Sequence, residues 1–169
     1  MNLVLSTRRL VASVLLLLAG AGFLVWWLQP DRSLVRAWTG LVSAVEARHP
    51  SAIRDRLALD YSDRWGYDRD SLAKDARLAF FHFRDLELLV QEVSIVREGD
   101  HATISAIIRL QATGSERAND ARLSVNSLYT PFIFEWERNP GFPWAWKLKS
   151  FDHAELDLAR FRRSSYLPY

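Results

Sequence analysis

With 169 residues and 49% hydrophobic content, the chain has material for one domain with a substantial core and one further segment. The formal charge of +2 is carried by Arg8 and Arg9 alone. From Pro30 onward basic and acidic side chains balance, which removes the electrostatic basis for a nucleic-acid partner. Cysteine is absent, excluding a disulfide framework, a thiol nucleophile, a cysteine-ligated zinc and a cysteine-linked lipid anchor.

Residues 1–9 form a short N-terminus expected in the cytoplasm. Leu10–Leu28 (LVASVLLLLAGAGFLVWWL) then runs without a charge. As a helix it rises about 28 Å, close to the roughly 30 Å hydrocarbon core of a bilayer. Arg8-Arg9 precede it, and Trp26-Trp27 stand where an aromatic belt meets the interface. Ala19-Gly20-Ala21 resembles a signal-peptidase site, but the apolar run continues past it. Residues 10–28 therefore read as an uncleaved signal anchor, with cleavage after Ala21 as the alternative. The positive-inside rule then sets residues 31–153 on the periplasmic side of a cell inner membrane. Residues 154–169 read as a tail whose Arg160, Arg162 and Arg163 form a solvated cluster.

Asp31 is placed to cap a first helix, whose apolar stripe is Leu34, Val35, Trp38, Leu41, Val42 and Val45. His49-Pro50 stops it, since the residue before proline is pushed from the α region. The spacing predicts a second helix from Ser51 to Leu59, burying Ile53 and Leu57. An aspartate-rich, aromatic loop spans 60–70. A third helix follows from Ser71 to Phe83, with Leu72, Ala76, Ala79, Phe80 and Phe83 on one face.

After Arg84 the apolar period falls from 3.6 to 2. Leu86, Leu88 and Val90 alternate, then Val93 and Ile95 continue on the opposite parity, which predicts a β-bulge at Gln91-Glu92. Glu98-Gly99-Asp100 predicts a hairpin turn, and the next strand buries Ala102, Ile104, Ala106, Ile108 and Leu110. Thr113–Ala121 reads as a polar loop. A long strand is expected from Arg122, carrying Leu123, Val125 and Tyr129, with a kink at Pro131 before Phe132, Phe134 and Trp136. A turn at 139–143 leads to a last strand with Trp144, Trp146 and Leu148 on one face and Lys147 and Lys149 on the other.

This order gives an α+β fold: a transmembrane helix, then three helices packed on a curved four-stranded antiparallel sheet in a cone-shaped domain. With its closing pair of aromatic strands (FIFEW, then WAWKL), the stretch Asp31–His153 resembles the nuclear transport factor 2-like superfamily of ketosteroid-isomerase-like and SnoaL-like proteins. The resemblance implies a cone with a mouth near loop 60–70. There, enzymes of the superfamily use a carboxylate or histidine base with tyrosine or protonated aspartate partners.

Asp63 is the single catalytic candidate, beside Tyr61 or Tyr67. Tyr61, Trp65, Tyr67, Phe83, Tyr129, Trp136 and Trp146 are candidate pocket linings. Asp60, Asp63, Asp68 and Asp70 do not have the spacing of a calcium loop, and capping of the third helix by Asp68 or Asp70 is sufficient reason for them. His49, His82, His101 and His153 are scattered and read as structural or surface residues. No metal or cofactor is implied. Two functions stay open. The first is a membrane-anchored interaction domain, homodimeric or bound to a membrane-complex protein through the sheet face at Ile107 and Ile133. The second is a small-molecule site in the cone, either a binding pocket or an isomerase- or dehydratase-like enzyme.

Overall fold

A computed structural model describes residues 30–139, 141–142 and 145–156. The expected anchor at 10–28, residues 1–9, Trp144 and most of the tail lie outside them. Among the described residues no helix is long and apolar enough to cross a membrane.

Helix α1 (Pro30–Glu46) starts one residue before the expected Asp31 cap, because proline is favoured at the first helical position. It buries Leu34, Trp38, Leu41 and Ala44, while Val35, expected on the stripe, is 42% exposed. The helix ends as Arg48 adopts φ 52°, just before the His49-Pro50 stop. His49 then becomes the N-cap of α2 (Pro50–Arg54), its Nδ1 accepting from the Ala52 N–H at 3.3 Å. Helix α2 is shorter than expected, because residues 56–62 leave it to run beside the sheet. Helix α3 (Arg69–Phe80) is capped by Asp68, whose Oδ1 accepts from the N–H groups of Asp70 and Ser71 at 3.1 and 2.8 Å. It ends before Phe83, which opens the sheet instead.

Strands β1 (Phe83–Glu98), β2 (His101–Gly114), β3 (Phe132–Arg138) and β4 (Trp146–Asp152) form an antiparallel sheet in that order. The predicted bulge is present: the β1–β2 register shifts between Gln91 and Ser94, and Glu92 has φ 51°. Further shifts sit between Phe83 and Asp85 at the start of β1 and between Glu135 and Trp136, opposite Lys149, rather than at Pro131. These shifts give the sheet curvature, since a bulge bends its strand and adds twist. Its inner face carries Ile104, Ala106 and Ile108 from β2, Phe132, Phe134 and Trp136 from β3, and Trp146 and Leu148 from β4. Helix α1 closes this face, with Trp38 edge-on to Phe134 at 4.7 Å between ring centroids. Each such large side chain contributes about 1.5–3 kcal/mol on full burial, so this row is the main source of stability.

Where a loop and strand are expected over 113–129, β2 instead runs on to Gly114 and is followed by helix α4 (Glu116–Asn126) and a short connection. β3 pairs with β2 only as far as Ala106, so the backbone of β2 beyond it needs other partners. Asn126 supplies them: its Oδ1 accepts from the Leu110 N–H at 2.7 Å and its Nδ2 donates to the Leu110 carbonyl at 3.0 Å. Arg109 fixes the same corner by donating to the carbonyls of Asn126 and Leu128. The turn from β2 into α4 requires Gly114, whose φ is 156° and where a Cβ would lie 2.1 Å from the His82 carbonyl oxygen. The parity change at Pro131 therefore marks the start of a strand and not a kink within one.

Replacing Asn126 with Ala leaves two backbone groups of Leu110 without partners and should lower stability by about 1–3 kcal/mol. Thermal unfolding followed by circular dichroism would show a midpoint several degrees below wild type.

Candidate functional site

Residues 56–62 cover the outer edge of β4. The Ala58 N–H donates to the Leu148 carbonyl at 2.8 Å, the Leu148 N–H to Arg56 at 2.9 Å and the Ser62 N–H to Lys149 at 3.2 Å. The following loop is closed by a bridge between Ser62 and Asp68 and is organised around Asp63, a buried residue. One carboxylate oxygen of Asp63 accepts from the N–H groups of Trp65 and Tyr67, each at 3.0 Å. The other accepts from the Tyr61 hydroxyl at 3.1 Å. An ionised carboxylate offers about four lone-pair positions, so three are committed to holding the loop.

Burial pushes the Tyr61 phenol well above its ordinary value of 10.0, and the negative charge and hydrogen bond of Asp63 add to the shift. A raised phenol favours the neutral form in the fold. Its contribution to stability is complete below the ordinary phenol range and is lost as pH rises beyond it.

The other aspartates of the loop have separate tasks. Asp60 pairs with Lys149 and Asp70 with Arg54, while Asp68 caps α3. Among the described residues, no group of three or more His, Asp or Glu is placed to hold a metal ion.

Trp65 lies against Phe151 at 5.3 Å between centroids, and its indole N–H donates to the Leu156 carbonyl at 3.1 Å. The same region holds His153, which is fully buried. Its Nδ1 accepts from the N–H groups of Glu155 and Leu156, both at 3.1 Å, so the proton resides on Nε2, which donates to the Thr130 carbonyl at 2.9 Å. The Glu155 carboxylate in turn accepts from the Tyr129 and Thr130 N–H groups. Hydrogen bonding from Thr130 holds it below the ordinary carboxylate value. His153 thus ties the end of β4 to the connection before β3. The sequence offered only its position after Asp152.

The candidate linings do not form one group. Tyr61, Asp63, Trp65 and Tyr67 come together in the loop. Phe83 lies apart from them at the start of β1, and Tyr129 is a surface residue, 81% exposed. Trp136 and Trp146 sit at the far end of the strands. There the Trp146 indole N–H donates to Ser33 Oγ at 3.0 Å, and the guanidinium groups of Arg138 and Arg97 lie 5.2 and 5.9 Å from its ring centre. The interior between the two ends is occupied by Phe132, Phe134 and Phe151 in mutual ring contact. Ile107 and Ile133 are half-buried on the outer face, where Ile133 pairs with Ser105 and Ile107 lies just past the end of β3.

The outer edge of β1 is treated unevenly. Its first half is covered from α1: Glu46 accepts from the Leu88 N–H at 3.0 Å, and Arg48 donates to the carbonyls of Phe83 and Arg84. All eight residues from Gln91 to Glu98 are exposed, including Val93, Ile95 and Val96. The apolar alternation of this strand was legible, but its exposure was not.

Two outcomes test the Asp63 assignment. Asp63→Ala should cost about 1–3 kcal/mol in chemical denaturation, and Asp63→Asn less, because the amide oxygen still accepts the two backbone bonds. In a spectrophotometric titration, one tyrosine should resist ionisation until the domain unfolds in alkali, and Tyr61→Phe should remove that late step.

No protein-family model matches the chain, and no curated protein matches it. In fold it is similar to Bd1075 of Bdellovibrio bacteriovorus, with a TM-score of 0.57 and 10% identity over 75% of this chain and 40% of that one. This chain thus spans well under half of Bd1075. It is also similar to an NTF2-like protein of Cytophaga hutchinsonii (TM-score 0.53, 12% identity, 73% of this chain and 95% of that one). A protein of Streptomyces avermitilis assigned as a dehydratase of the NTF2-like family gives a TM-score of 0.52 at 14% identity, over 73% and 95% of the two chains. With three helices leading into a bulged four-stranded antiparallel sheet, the chain has the nuclear transport factor 2-like fold.

Proposed function

We propose that this chain is a membrane-tethered interaction domain that binds a protein partner through the open half of β1. The observation that carries the reading is the unequal finish of the sheet. Residues 56–62 cover the β4 edge and α1 covers half of β1, while Val93, Ile95 and Val96 are left exposed on an edge strand. Exposed apolar edges are normally blunted by charge, proline or a covering element, because they recruit other chains. One kept open is suited to strand addition, in which main-chain bonds supply affinity and alternate side chains supply specificity. The buried Asp63 and His153 support the same reading, since their polar atoms serve the fold. The apolar run at 10–28 supports tethering, with the domain on the periplasmic side.

A small-molecule site is the second reading, favoured by the assignment of the Streptomyces avermitilis neighbour as a dehydratase. Its place would be the aromatic interior beside Trp65 and Phe151.

Native mass spectrometry of the full-length protein, released from its own membrane in mild detergent, tests both. The interaction reading expects a dimer or a co-purifying protein that Val96→Lys abolishes, with the unfolding midpoint unchanged within about 2 °C, as befits an exposed site. An assembly that survives Val96→Lys, or a bare monomer, would reject the β1 edge. An added mass of a few hundred daltons would favour the small-molecule site.

A further inference from the structure

We propose that the partner at the open half of β1 is a second copy of this chain, paired antiparallel about a two-fold axis at Val96 to make one continuous sheet. This rests on the edge reading above and adds to it the identity of the partner and a register.

The direction of the main-chain groups limits the registers. Successive residues of an antiparallel strand turn their N–H and carbonyl groups to alternate sides. The Arg138 N–H donates to the Asp100 carbonyl at 2.8 Å, so the even-numbered residues of β2 from Ala102 to Ala106 face β3. The Leu110 N–H, which donates to Asn126, keeps the same phase further along the strand. His101, Thr103 and Ser105 therefore face β1, where they oppose Glu98, Val96 and Ser94. The main-chain groups of those three β1 residues are turned to β2, and the groups of Ile95 and Arg97 are turned outward. Val93 adjoins the bulge, where Glu92 has φ 51° and the ladder shifts, so regular pairing begins at Ser94.

The Arg97 side chain is engaged within its own chain. Its Nε donates to the Gly99 carbonyl at 3.2 Å, and its guanidinium lies 5.9 Å from the centre of the Trp146 ring. Strand addition leaves that side chain in place and uses the main chain of the residue.

Two copies of one strand, antiparallel about a two-fold axis, bring outward residues opposite outward residues. Three registers do so with Ile95 and Arg97. An axis at Arg97 opposes the two arginines, and an axis at Ile95 sets Glu92 against Glu98 twice. Like charges directly opposite are destabilising. An axis at Val96 sets Ile95 opposite Arg97 and Ser94 opposite Glu98, each twice, with no like charges face to face. Val96, 57% exposed, then meets its counterpart on the axis. It stands at a non-hydrogen-bonded position, where opposed side chains come closest. The strand is complementary to itself in this register, and a two-fold contact of this kind closes at two copies.

With no native cysteine, disulfide formation reads the register directly. Across a non-hydrogen-bonded pair the Cα atoms are about 4.5 Å apart, within the span of a disulfide. Val96→Cys, Ser94→Cys and Leu59→Cys are each made in the full-length protein, oxidised with copper phenanthroline in mild detergent and separated without reductant. In this register the two Ser94 positions stand about 14 Å apart, too far to bridge. Leu59, 88% exposed on the segment along β4 at the opposite edge of the sheet, reports random collision. The expected result is a covalent dimer several-fold more abundant for Val96→Cys than for the other two. Equal yields from Val96→Cys and Leu59→Cys, or a higher yield from Ser94→Cys, overturn the proposal. In that event a co-purifying protein of different mass that Val96→Lys removes keeps the edge reading standing, whereas a bare wild-type monomer removes both.

Discussion

A four-stranded open sheet has two edges and an inner face, and the backbone groups along the edges must be satisfied wherever they are buried. That constraint organises the molecule. Helix α1 covers the inner face, and its last residue Glu46 and Arg48 just beyond it reach sideways to bond the start of β1. Residues 56–62 lie along β4, and Asn126 stands in for the strand missing beside β2. Each device uses residues far in sequence from the groups they satisfy. The second half of β1 is the place where the pattern stops, and it is also where apolar side chains are exposed.

The loop after α2 shows the same economy. Asp63 has the burial and the tyrosine neighbour expected of a base in a cone-shaped enzyme. General-base chemistry, however, needs a lone pair directed at a reacting proton. Three hydrogen bonds fix the carboxylate to its own loop, and the rings of Phe132, Phe134 and Phe151 contact one another nearby. His153 is likewise bonded at both nitrogens. Asp63 and His153 therefore each join separate segments of the chain.

Sequence alone determined what depends on near neighbours. The apolar stripe of α1, a cap at Asp68 or Asp70, the turn at Gly99 and the bulge at Gln91-Glu92 are legible because helical and strand periods, capping and turn geometry act over a few residues. The superfamily resemblance followed from that order of elements. Tertiary structure decided what depends on pairing across long separations. Leu123, Val125 and Tyr129 alternate as a strand would, yet residues 116–126 are helical because Asn126 completes the ladder at Leu110, sixteen positions away. Val35 continues the stripe of α1 but is left exposed. Asp63 and His153 could be named from the sequence, but not their use. Which lone pairs are free is set by backbone groups that only the folded chain brings within reach.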